Sequence, residues 1–266
     1  MFSKDLLRFY RQICQQPLTV VDVETTGRIS YAARIIEVAV VRASLVDGVI
    51  DCRSDLVNPE RKIPSEIEAF TGISQQMVDG VSPASAILPQ YLDSLNQGVL
   101  TAHNLEFDNT FLRHEFQRLG IDFGRPPAQQ LCTVQLSRLM LSDLPSRSLP
   151  KLVKRFQFPV GKSHRAEADA IACWLLAQKL LTIIANEDDE AVLARFGQAW
   201  ISLQTAARLL KCSQSVARCR LEKAGVYYRV SQRQTHKIPM YRRGEVEAIA
   251  LNYQETHQEN QQLSLF

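Results

Sequence analysis

The sequence predicts an α/β domain with a mixed β-sheet flanked by helices, followed by a small helix-turn-helix unit with a wing. Three closely spaced strand-like segments, 18–23, 35–43 and 51–59, come first and favour an antiparallel meander. Later strand-like segments alternate with helical ones, which implies a mixed sheet covered by helices. A polar stretch near 187–198 then marks the boundary to the second unit.

The elements of the first unit follow from local signals. The N-terminal stretch "MFSKDLLRFYRQICQQ" has apolar residues at helical spacing but also Asp5, Arg8 and Arg11, which predicts a short amphipathic helix packing on the domain. Pro64 and Gly72 bound another short helix. Further predicted elements are a helix near 83–97, a strand over 98–104, a helix over 107–119, a strand at "QLCTV", and helices near 133–140, 148–157 and 165–186.

The second unit is read in the same way. Ser202 and Ser213 are predicted N-caps of two consecutive helices, and Gly225 ends the second. "VYYRVSQRQTHKIPMYRR" predicts two short strands around a polar turn, and "GEVEAIALNY" predicts a last helix. The predicted domains are therefore residues 1–190, residues 198–253 and a flexible tail over 254–266.

Composition limits the function classes. The 266 residues contain no 18-residue apolar run, so no membrane partner is expected. The six cysteines are scattered without zinc-ligand spacing, which indicates reduced thiols in a cytoplasmic protein. Residues 197–266 carry 10 Lys and Arg against 5 Asp and Glu, so a polyanionic partner is expected mainly at the C-terminal part.

Two acids interrupt an apolar strand in "VVDVETTG", residues 20–27. Side chains alternate faces along a strand, so Asp22 and Glu24 point to the same side. Two buried like charges repel each other, and a positive group between them relieves that repulsion. The stretch therefore predicts a cation at this strand.

Three more residues join these acids. "HNLEFDNTFL" places Asp108 where a strand passes into a helix, and "HRAEADA" places His164 at the mouth of a helix that carries Asp169. Four carboxylates without sulfur suit Mg²⁺, with Mn²⁺ as a substitute, rather than zinc. Such a set can hold two divalent ions about 3.5–4 Å apart and polarise a phosphodiester.

"DVETTG", "HNxxFD" and "HRAxxDA" together resemble the three motifs of the DEDDh family of 3′→5′ exonucleases. The family includes the proofreading subunit of bacterial replicative polymerases, oligoribonuclease and RNase T, and the resemblance covers about residues 17–185. It implies a ribonuclease H-like sheet and a hydrolase with a two-metal mechanism. "FTGIS", residues 70–74, is similar to the family's segment beside the 3′-terminal nucleotide.

The resemblance implies a role for each residue. Asp22, Glu24 and Asp169 would hold the first metal ion, Asp22 and Asp108 the second, and His164 would deprotonate the attacking water. Contacts with the terminal nucleotide are expected from Thr25, Thr26, Gly27, Phe70, Ile73 and His103. A purely structural role for His103 is an equal alternative. Three other acids are interpreted as ordinary surface residues, namely Glu37, Glu106 and Glu167.

Residues 200–250 resemble the excisionase and MerR-like DNA-binding modules in helix lengths and charge. Tyrosines in the hairpin are candidates for stacking on exposed bases. The alternative is a protein docking module. The candidate phosphate contacts are Arg218, Arg220, Lys223, Arg229, Arg233 and Lys237.

The last five residues, "QLSLF", resemble the pentapeptide by which bacterial proteins bind the DNA sliding clamp. The resemblance implies that Leu263, Leu265 and Phe266 would be apolar anchors, that Gln262 would bond at the pocket rim, and that Ser264 would face outward. The alternative is a terminus that packs on its own domain.

The sequence therefore favours a 3′→5′ exodeoxyribonuclease of bacterial replication, proofreading or repair, acting on single-stranded or frayed DNA ends. The sliding clamp is the expected partner, and a DNA polymerase is a further candidate. One alternative is an exoribonuclease, because the catalytic motifs do not separate DNA from RNA. The other is a nucleic-acid-binding module without catalysis.

Overall fold

The computed structural model of the chain describes the backbone of residues 1–161, 163–233 and 236–263, and the side chains there except those of 232–236 and 254–263. The chain divides into two compact units. The sheet unit contains residues 10–136 and 145–185, and the C-terminal unit contains residues 1–9, 137–144 and 186–266.

The sheet unit contains a five-stranded sheet in the order β3-β2-β1-β4-β5. The first three strands are antiparallel. The fourth strand pairs in parallel with the first, and the fifth pairs in parallel with the fourth. The predicted mixed sheet is therefore confirmed. The strands are β1 (Leu18–Thr25), β2 (Ile35–Ser44), β3 (Gly48–Leu56), β4 (Val99–Ala102) and β5 (Gln130–Cys132).

Helices flank this sheet. The predicted helix near 83–97 is three short pieces, of which Leu88–Tyr91 is a 3₁₀ helix. Pro89 within that piece has no amide hydrogen to donate to a continuous helical ladder. The helices before residue 187 are, in chain order, α1 (Ser3–Ile13), α2 (Ser65–Thr71), α3 (Gln75–Asp79), α4 (Ala84–Ile87), α5 (Leu92–Leu95), α6 (Leu105–Arg118), α7 (Thr133–Met140), α8 (Leu149–Phe156) and α9 (Ala166–Asn186). Residues 3–9 of α1 and 137–140 of α7 belong to the C-terminal unit.

Among the described residues, one helix, α9, is long and apolar enough by length and composition to cross a membrane. Half of its apolar window is buried within the protein, and Trp174 in its middle is 1% exposed. This is the pattern of a core helix.

The C-terminal unit has a second sheet, of three antiparallel strands in the order β6-β8-β7. Ser202 accepts a hydrogen bond from the Thr205 amide and Ser213 from the Val216 amide, so both predicted N-caps are confirmed. The elements are α10 (Asp189–Gly197), β6 (Trp200–Ser202), α11 (Leu203–Leu209), α12 (Gln214–Lys223), β7 (Tyr228–Arg233), β8 (His236–Arg242) and α13 (Arg243–Leu263).

The start of the chain packs within the C-terminal unit. Arg243, 5% exposed, donates to Ser3 Oγ at 3.0 Å and pairs with Glu247 at 2.7 Å. The Ser3 amide also donates to Glu247 at 2.9 Å. The two bonds to Ser3 join residues 240 and 244 positions apart, and no local signal in the sequence reports such a pairing.

Two stretches for which no helix was predicted are helical. Residues 189–197, within the predicted polar boundary, form α10, with Asp188 accepting from the Ala191 amide as its N-cap. The last helix continues to Leu263, although a flexible tail was expected from residue 254. The polar side chains of residues 254–263 predicted a solvent-exposed, flexible segment. Gln and Glu are also good helix formers, so a polar sequence is compatible with an exposed helix.

Candidate functional site

The strand β1 separates acidic from apolar side chains as its sequence predicts. Val21 and Val23 are buried in the core beneath the sheet, 0% and 4% exposed, whereas Asp22 and Glu24 point to the other face and line a cavity. The register with β2 shifts between Glu24 and Thr25, where the strand leaves regular pairing. The acids thus lie just before an irregularity that turns the chain toward the cavity.

Asp108 reaches the same cavity from the first turn of α6. It is 3% exposed, and its Oδ1 accepts a hydrogen bond from the Val23 amide at 3.2 Å. The residue before the helix, Asn104, has a positive φ of 86°, a conformation that Asn adopts more readily than most residues. This tight entry brings the first turn of α6 close to the end of β1.

Asp169 and His164 lie at the start of α9. The Oδ2 of Asp169 accepts a hydrogen bond from the His164 amide at 3.1 Å, so the acid closes the loop that precedes its own helix. His164 has a φ of 65°, in the left-handed region that non-glycine residues seldom occupy. Such a conformation persists only where surrounding contacts fix it, and it is concentrated at functional sites.

An aromatic side chain covers His164. The rings of Phe70 and His164 lie 3.9 Å apart between centroids at an angle of 36°. Phe70 is 57% exposed and lines the cavity, so it offers an apolar surface to a ligand.

Ile73, the other predicted apolar contact, does not lie in the cavity. It is 0% exposed and packs with Ile36, Ile63 and Val78. Gly72 between the two positions ends α2 with a φ of 74°, which turns the chain inward. The prediction that Ile73 contacts a nucleotide is therefore wrong.

The structure brings most of the predicted site residues to one cavity of about 790 Å³. Four carboxylates converge there although they come from three separate segments of the chain. Thr25, Thr26 and Gly27 form one edge. The predicted residues that line the cavity are Asp22, Glu24, Thr25, Thr26, Gly27, Phe70, His103, Asp108 and Asp169.

His103 uses both ring nitrogens within the protein. Its Nδ1 lies 2.9 Å from Thr133 Oγ1 and its Nε2 lies 2.9 Å from the Arg147 carbonyl oxygen. Because a carbonyl only accepts, Nε2 carries the proton and Nδ1 accepts from the threonine hydroxyl. Burial lowers the pKa of His103 to about 4. These bonds support the structural alternative for His103, which borders the cavity as a neutral ring.

One acid was misassigned. Glu37 was interpreted as a surface residue, but it is 2% exposed and pairs across the sheet with Glu24. Its carboxylate binds the Arg165 guanidinium at 2.7 Å. The signal was present in "IIEVAVV", where one acid interrupts an apolar strand as Asp22 and Glu24 do. Glu106 and Glu167 are exposed, as expected.

Burial and mutual repulsion disfavour the charged forms of these acids. Desolvation, followed by repulsion from neighbouring carboxylates, raises the pKa of Glu24 to about 8. Desolvation also raises the pKa of Asp108 to about 8 and raises those of Asp22 and Asp169. A divalent cation among them would restore the charged forms.

The donor set fits such a cation. One potential ligand atom from each of Glu24, His164 and Asp169 lies within 4.8 Å of the others. Asp22 and Asp108 supply further carboxylate oxygens in the same cavity, and hard oxygen ligands suit magnesium-like ions. The convergence of these oxygens on one cavity is the observation that makes the residues fit a divalent cation.

In the C-terminal unit, the predicted phosphate contacts are distributed over α12 and the hairpin. Arg218 and Lys223 are exposed, whereas Arg220 stacks on Tyr253 with 4.4 Å from its guanidinium carbon to the ring centroid. Arg229 is exposed and stacks on Trp200 at 4.3 Å.

The remaining predicted contacts are less fully defined. Lys237 is exposed. The side chain of Arg233 lies outside the described residues. For the predicted clamp peptide, the side chains of Gln262 and Leu263, and Ser264, Leu265 and Phe266 entirely, also lie outside them.

Known proteins with similar sequences are nucleases and polymerases. The chain is 34% identical to the 3′-5′ exonuclease DinG of Bacillus subtilis over 63% of its length and 18% of that protein. It is 31% identical to a putative bifunctional exonuclease/endonuclease protein of Mycobacterium tuberculosis, over 78% of this chain and 32% of that one. It is 34% identical to a PolC-type DNA polymerase III of Clostridium perfringens, over 58% of this chain and 10% of that protein. The chain thus spans less than a third of each of these relatives.

Solved structures share the fold. Exonuclease X in complex with 5′ overhanging duplex DNA superposes with a TM-score of 0.51 and 23% identity, over 68% of this chain and 99% of that one. Escherichia coli Exonuclease I in complex with a dT13 oligonucleotide superposes with a TM-score of 0.57 and 20% sequence identity. The superposition covers 63% of this chain and 41% of that one.

A family model described as "Exonuclease", the RNase T family, matches residues 19–176, which is more than half of the chain. The matched segment begins in β1 and ends within α9, so it contains every element that supplies a carboxylate to the cavity. Exonucleases of this superfamily depend on divalent metal ions. The chain therefore belongs to the RNase T exonuclease family, within the DEDD superfamily of nucleases.

Proposed function

We propose that this protein is a divalent-metal-dependent 3′→5′ exonuclease that releases nucleoside monophosphates from the 3′ ends of DNA. The observation that carries the proposal is the convergence of four carboxylates on one open cavity beside residues 25–27 and Phe70. The name of the relative DinG supports the 3′→5′ direction, and the PolC-type polymerases support DNA as the substrate.

Asp22, Glu24 and Asp169 would hold one cation, and Asp22 and Asp108 a second. Mg²⁺ is the proposed ion, with Mn²⁺ as a substitute, because the ligands are hard oxygens. Bound cations would supply electrostatic stabilisation of the charge that develops on the phosphate.

His164 acts as the general base in this proposal. Its ring takes a proton from the water whose oxygen forms the new bond to phosphorus. The bond from phosphorus to the 3′ oxygen of the preceding nucleotide breaks, and that oxygen leaves as the new 3′-hydroxyl after protonation. The products are one nucleoside 5′-monophosphate and a strand shorter by one nucleotide.

The terminal nucleotide lies against residues 25–27 and Phe70. Gly27 lines the cavity and has no Cβ, so its backbone is proposed to lie close to the terminal sugar. Phe70 offers its exposed ring to the terminal base.

A digestion assay tests this proposal. Matched single-stranded DNA and RNA, each labelled at the 3′ or the 5′ end, are incubated with Mg²⁺ or with a chelator. We expect release of the 3′ label first, with Mg²⁺ only, faster on DNA, and no turnover by Asp22→Asn or His164→Ala. Release of the 5′ label first would contradict the direction, and faster digestion of RNA would favour the exoribonuclease. Unchanged turnover by Asp22→Asn would refute the assigned site.

The C-terminal unit is proposed to bind the DNA strand. Its exposed cations Arg218, Lys223, Arg229 and Lys237 support contact with phosphates. The remaining proposed contacts are Arg220 and Arg233.

The peptide "QLSLF" is proposed to bind the bacterial sliding clamp, through the apolar side chains of Leu263, Leu265 and Phe266. This places the protein in the cytoplasm at sites of replication or repair. A DNA polymerase is a further proposed partner, since several relatives are PolC-type polymerases.

A further inference from the structure

We propose that Glu37 is a positioning residue, which holds His164 and Asp169 in their working geometry through Arg165. The inference rests on the proposed function, because that function makes His164 the base and Asp169 a metal ligand. Glu37 lies on β2, His164 and Arg165 directly precede α9, and Asp169 lies in its first turn. A residue of the sheet therefore holds this segment from outside the loop that carries the histidine.

The carboxylate of Glu37 is fully engaged. Its Oε1 accepts from Arg165 Nη2 at 2.7 Å and from Nε at 3.1 Å. Its Oε2 accepts from Arg165 Nε at 3.2 Å and from the Ala166 amide at 2.8 Å. Both oxygens therefore face the loop and the first amide of α9, which leaves Glu37 as an anchor for the helix rather than a free ligand for a metal ion.

These bonds fix the chain on the C-terminal side of His164. The Arg165 carbonyl also accepts from the Asp169 amide at 3.0 Å, and Asp169 Oδ2 accepts from the His164 amide at 3.1 Å. The backbone of His164 lies between these restraints in the left-handed region, with a φ of 65°. A non-glycine residue remains there only when its neighbours prevent relaxation, and Glu37 supplies that restraint through two consecutive residues.

The charge of Glu37 opposes the site that it supports. Its carboxylate repels Asp22, Glu24 and Asp169, and it is 2% exposed. The Glu37 side chain is 3% exposed but that of Arg165 is 39% exposed. Burial of the carboxylate carries a desolvation cost, so stability alone does not explain this pair. An arginine and a carboxylate form two directed hydrogen bonds that fix their relative orientation, and an apolar pair would not fix it.

The test compares Glu37→Gln, Arg165→Met and the double variant with the wild type at a temperature where circular dichroism shows all of them folded. We expect each single change to lower kcat by about 10- to 100-fold with KM changed less than about threefold, as for residues that orient ligands. Because Glu37 and Arg165 act through the same contact, kcat of the double variant should be no lower than kcat of the worse single variant.

Two control variants separate positioning from ordinary stabilisation. Glu187→Gln removes an exposed arginine pair of similar bidentate geometry, with Arg195 at 2.6 and 2.8 Å, and should leave kcat unchanged. Arg125→Met removes a buried arginine, 9% exposed, that donates to the Leu95 carbonyl at 2.8 Å. It should lower Tm but leave kcat unchanged.

A second readout does not depend on turnover. Titration calorimetry with Mn²⁺ alone should give a dissociation constant about 10-fold or more weaker for Glu37→Gln than for the wild type, because Asp169 loses its fixed position. Wild-type kcat together with wild-type Mn²⁺ affinity in the folded Glu37→Gln variant would overturn the inference. Absence of DNA hydrolysis by the wild type would instead refute the proposed function, while the Mn²⁺ comparison would still decide the role of Glu37.

Discussion

The backbone amide of Val23 donates a hydrogen bond to Asp108 Oδ1 over 3.2 Å, joining residues 85 positions apart. Val23 lies between the two acids of β1, so the bond holds the first turn of α6 against the strand that carries Asp22 and Glu24. The backbone of the strand that carries Asp22 and Glu24 thereby fixes the carboxylate of Asp108. The remaining carboxylate, Asp169, is oriented by its bond to the His164 amide.

This arrangement predicts how stability depends on pH when no cation is bound. Burial raises the pKa of Asp108 from 3.8 to about 8, so the folded chain keeps a proton that the unfolded chain has lost above about pH 4. The folded state therefore binds more protons between about pH 4 and 8, and this residue lowers stability progressively as pH rises through that range.

Asp108→Asn should remove this effect, since the introduced amide oxygen still accepts from the Val23 amide. In the presence of a chelator, the Tm of the variant minus the Tm of the wild type should be larger at pH 8 than at pH 5. Addition of Mg²⁺ at pH 8 should stabilise the wild type more than the variant. A Tm difference that is independent of pH would contradict the raised pKa of Asp108.

Phe70 and Ile73 are neighbours in sequence with different predicted roles. Phe70→Ala removes an exposed ring beside the cavity and should raise KM for oligonucleotides by roughly 10-fold, since stacking of a base on an aromatic ring contributes about 1–3 kcal/mol. Ile73→Ala removes a fully buried side chain and should lower the free energy of unfolding by about 2–5 kcal/mol with KM unchanged. Equal KM values for Phe70→Ala and the wild type would exclude a stacking role.

The basic residues of α12 predict a salt-dependent contribution to strand binding. Combined replacement of Arg218 and Lys223 by alanine should weaken single-stranded DNA binding and reduce the slope of log affinity against log salt by about 0.7 per lost phosphate contact. Fluorescence anisotropy over a range of salt concentrations measures this slope. Arg195→Ala is the control, because its charge lies in an ion pair with Glu187. An unchanged slope for the double replacement would favour a protein docking role for this unit.

The peptide at residues 262–266 predicts an effect on recruitment without an effect on chemistry. Its deletion should abolish binding to the sliding clamp in surface plasmon resonance while free oligonucleotides are hydrolysed at the wild-type rate. Ser264→Ala should bind the clamp like the wild type, because this side chain is expected to face outward. Equal clamp affinity with and without the peptide would show that recruitment, if any, uses another surface.

The sequence predicted the parts of the site that depend on local periodicity. Alternation along β1 predicted that Asp22 and Glu24 share a face, and the burial of Val21 and Val23 confirms it. Capping chemistry predicted the helix starts after Ser202 and Ser213, because an N-cap is a contact within four residues.

Features that depend on distant contacts were not predictable in the same way. Ile73 is expected in the cavity because "FTGIS" resembles the family's segment beside the terminal nucleotide, but the left-handed turn at Gly72 directs it into the core. The single acid in "IIEVAVV" is a local sign that Glu37 is buried, but its partner, Arg165, lies 128 positions away and no local signal identifies it. Residues 254–263 were expected to be flexible because their polarity does not distinguish a solvated helix from a coil.

The central claim is that Asp22, Glu24, Asp108 and Asp169 together bind two divalent cations. Calorimetric titration with Mn²⁺ in the presence of a nucleoside monophosphate tests it most directly. We expect two Mn²⁺ ions per chain for the wild type and at most one, bound more weakly, for Asp22→Asn. Two ions bound with equal affinity by both proteins, or none bound by the wild type, would contradict the account.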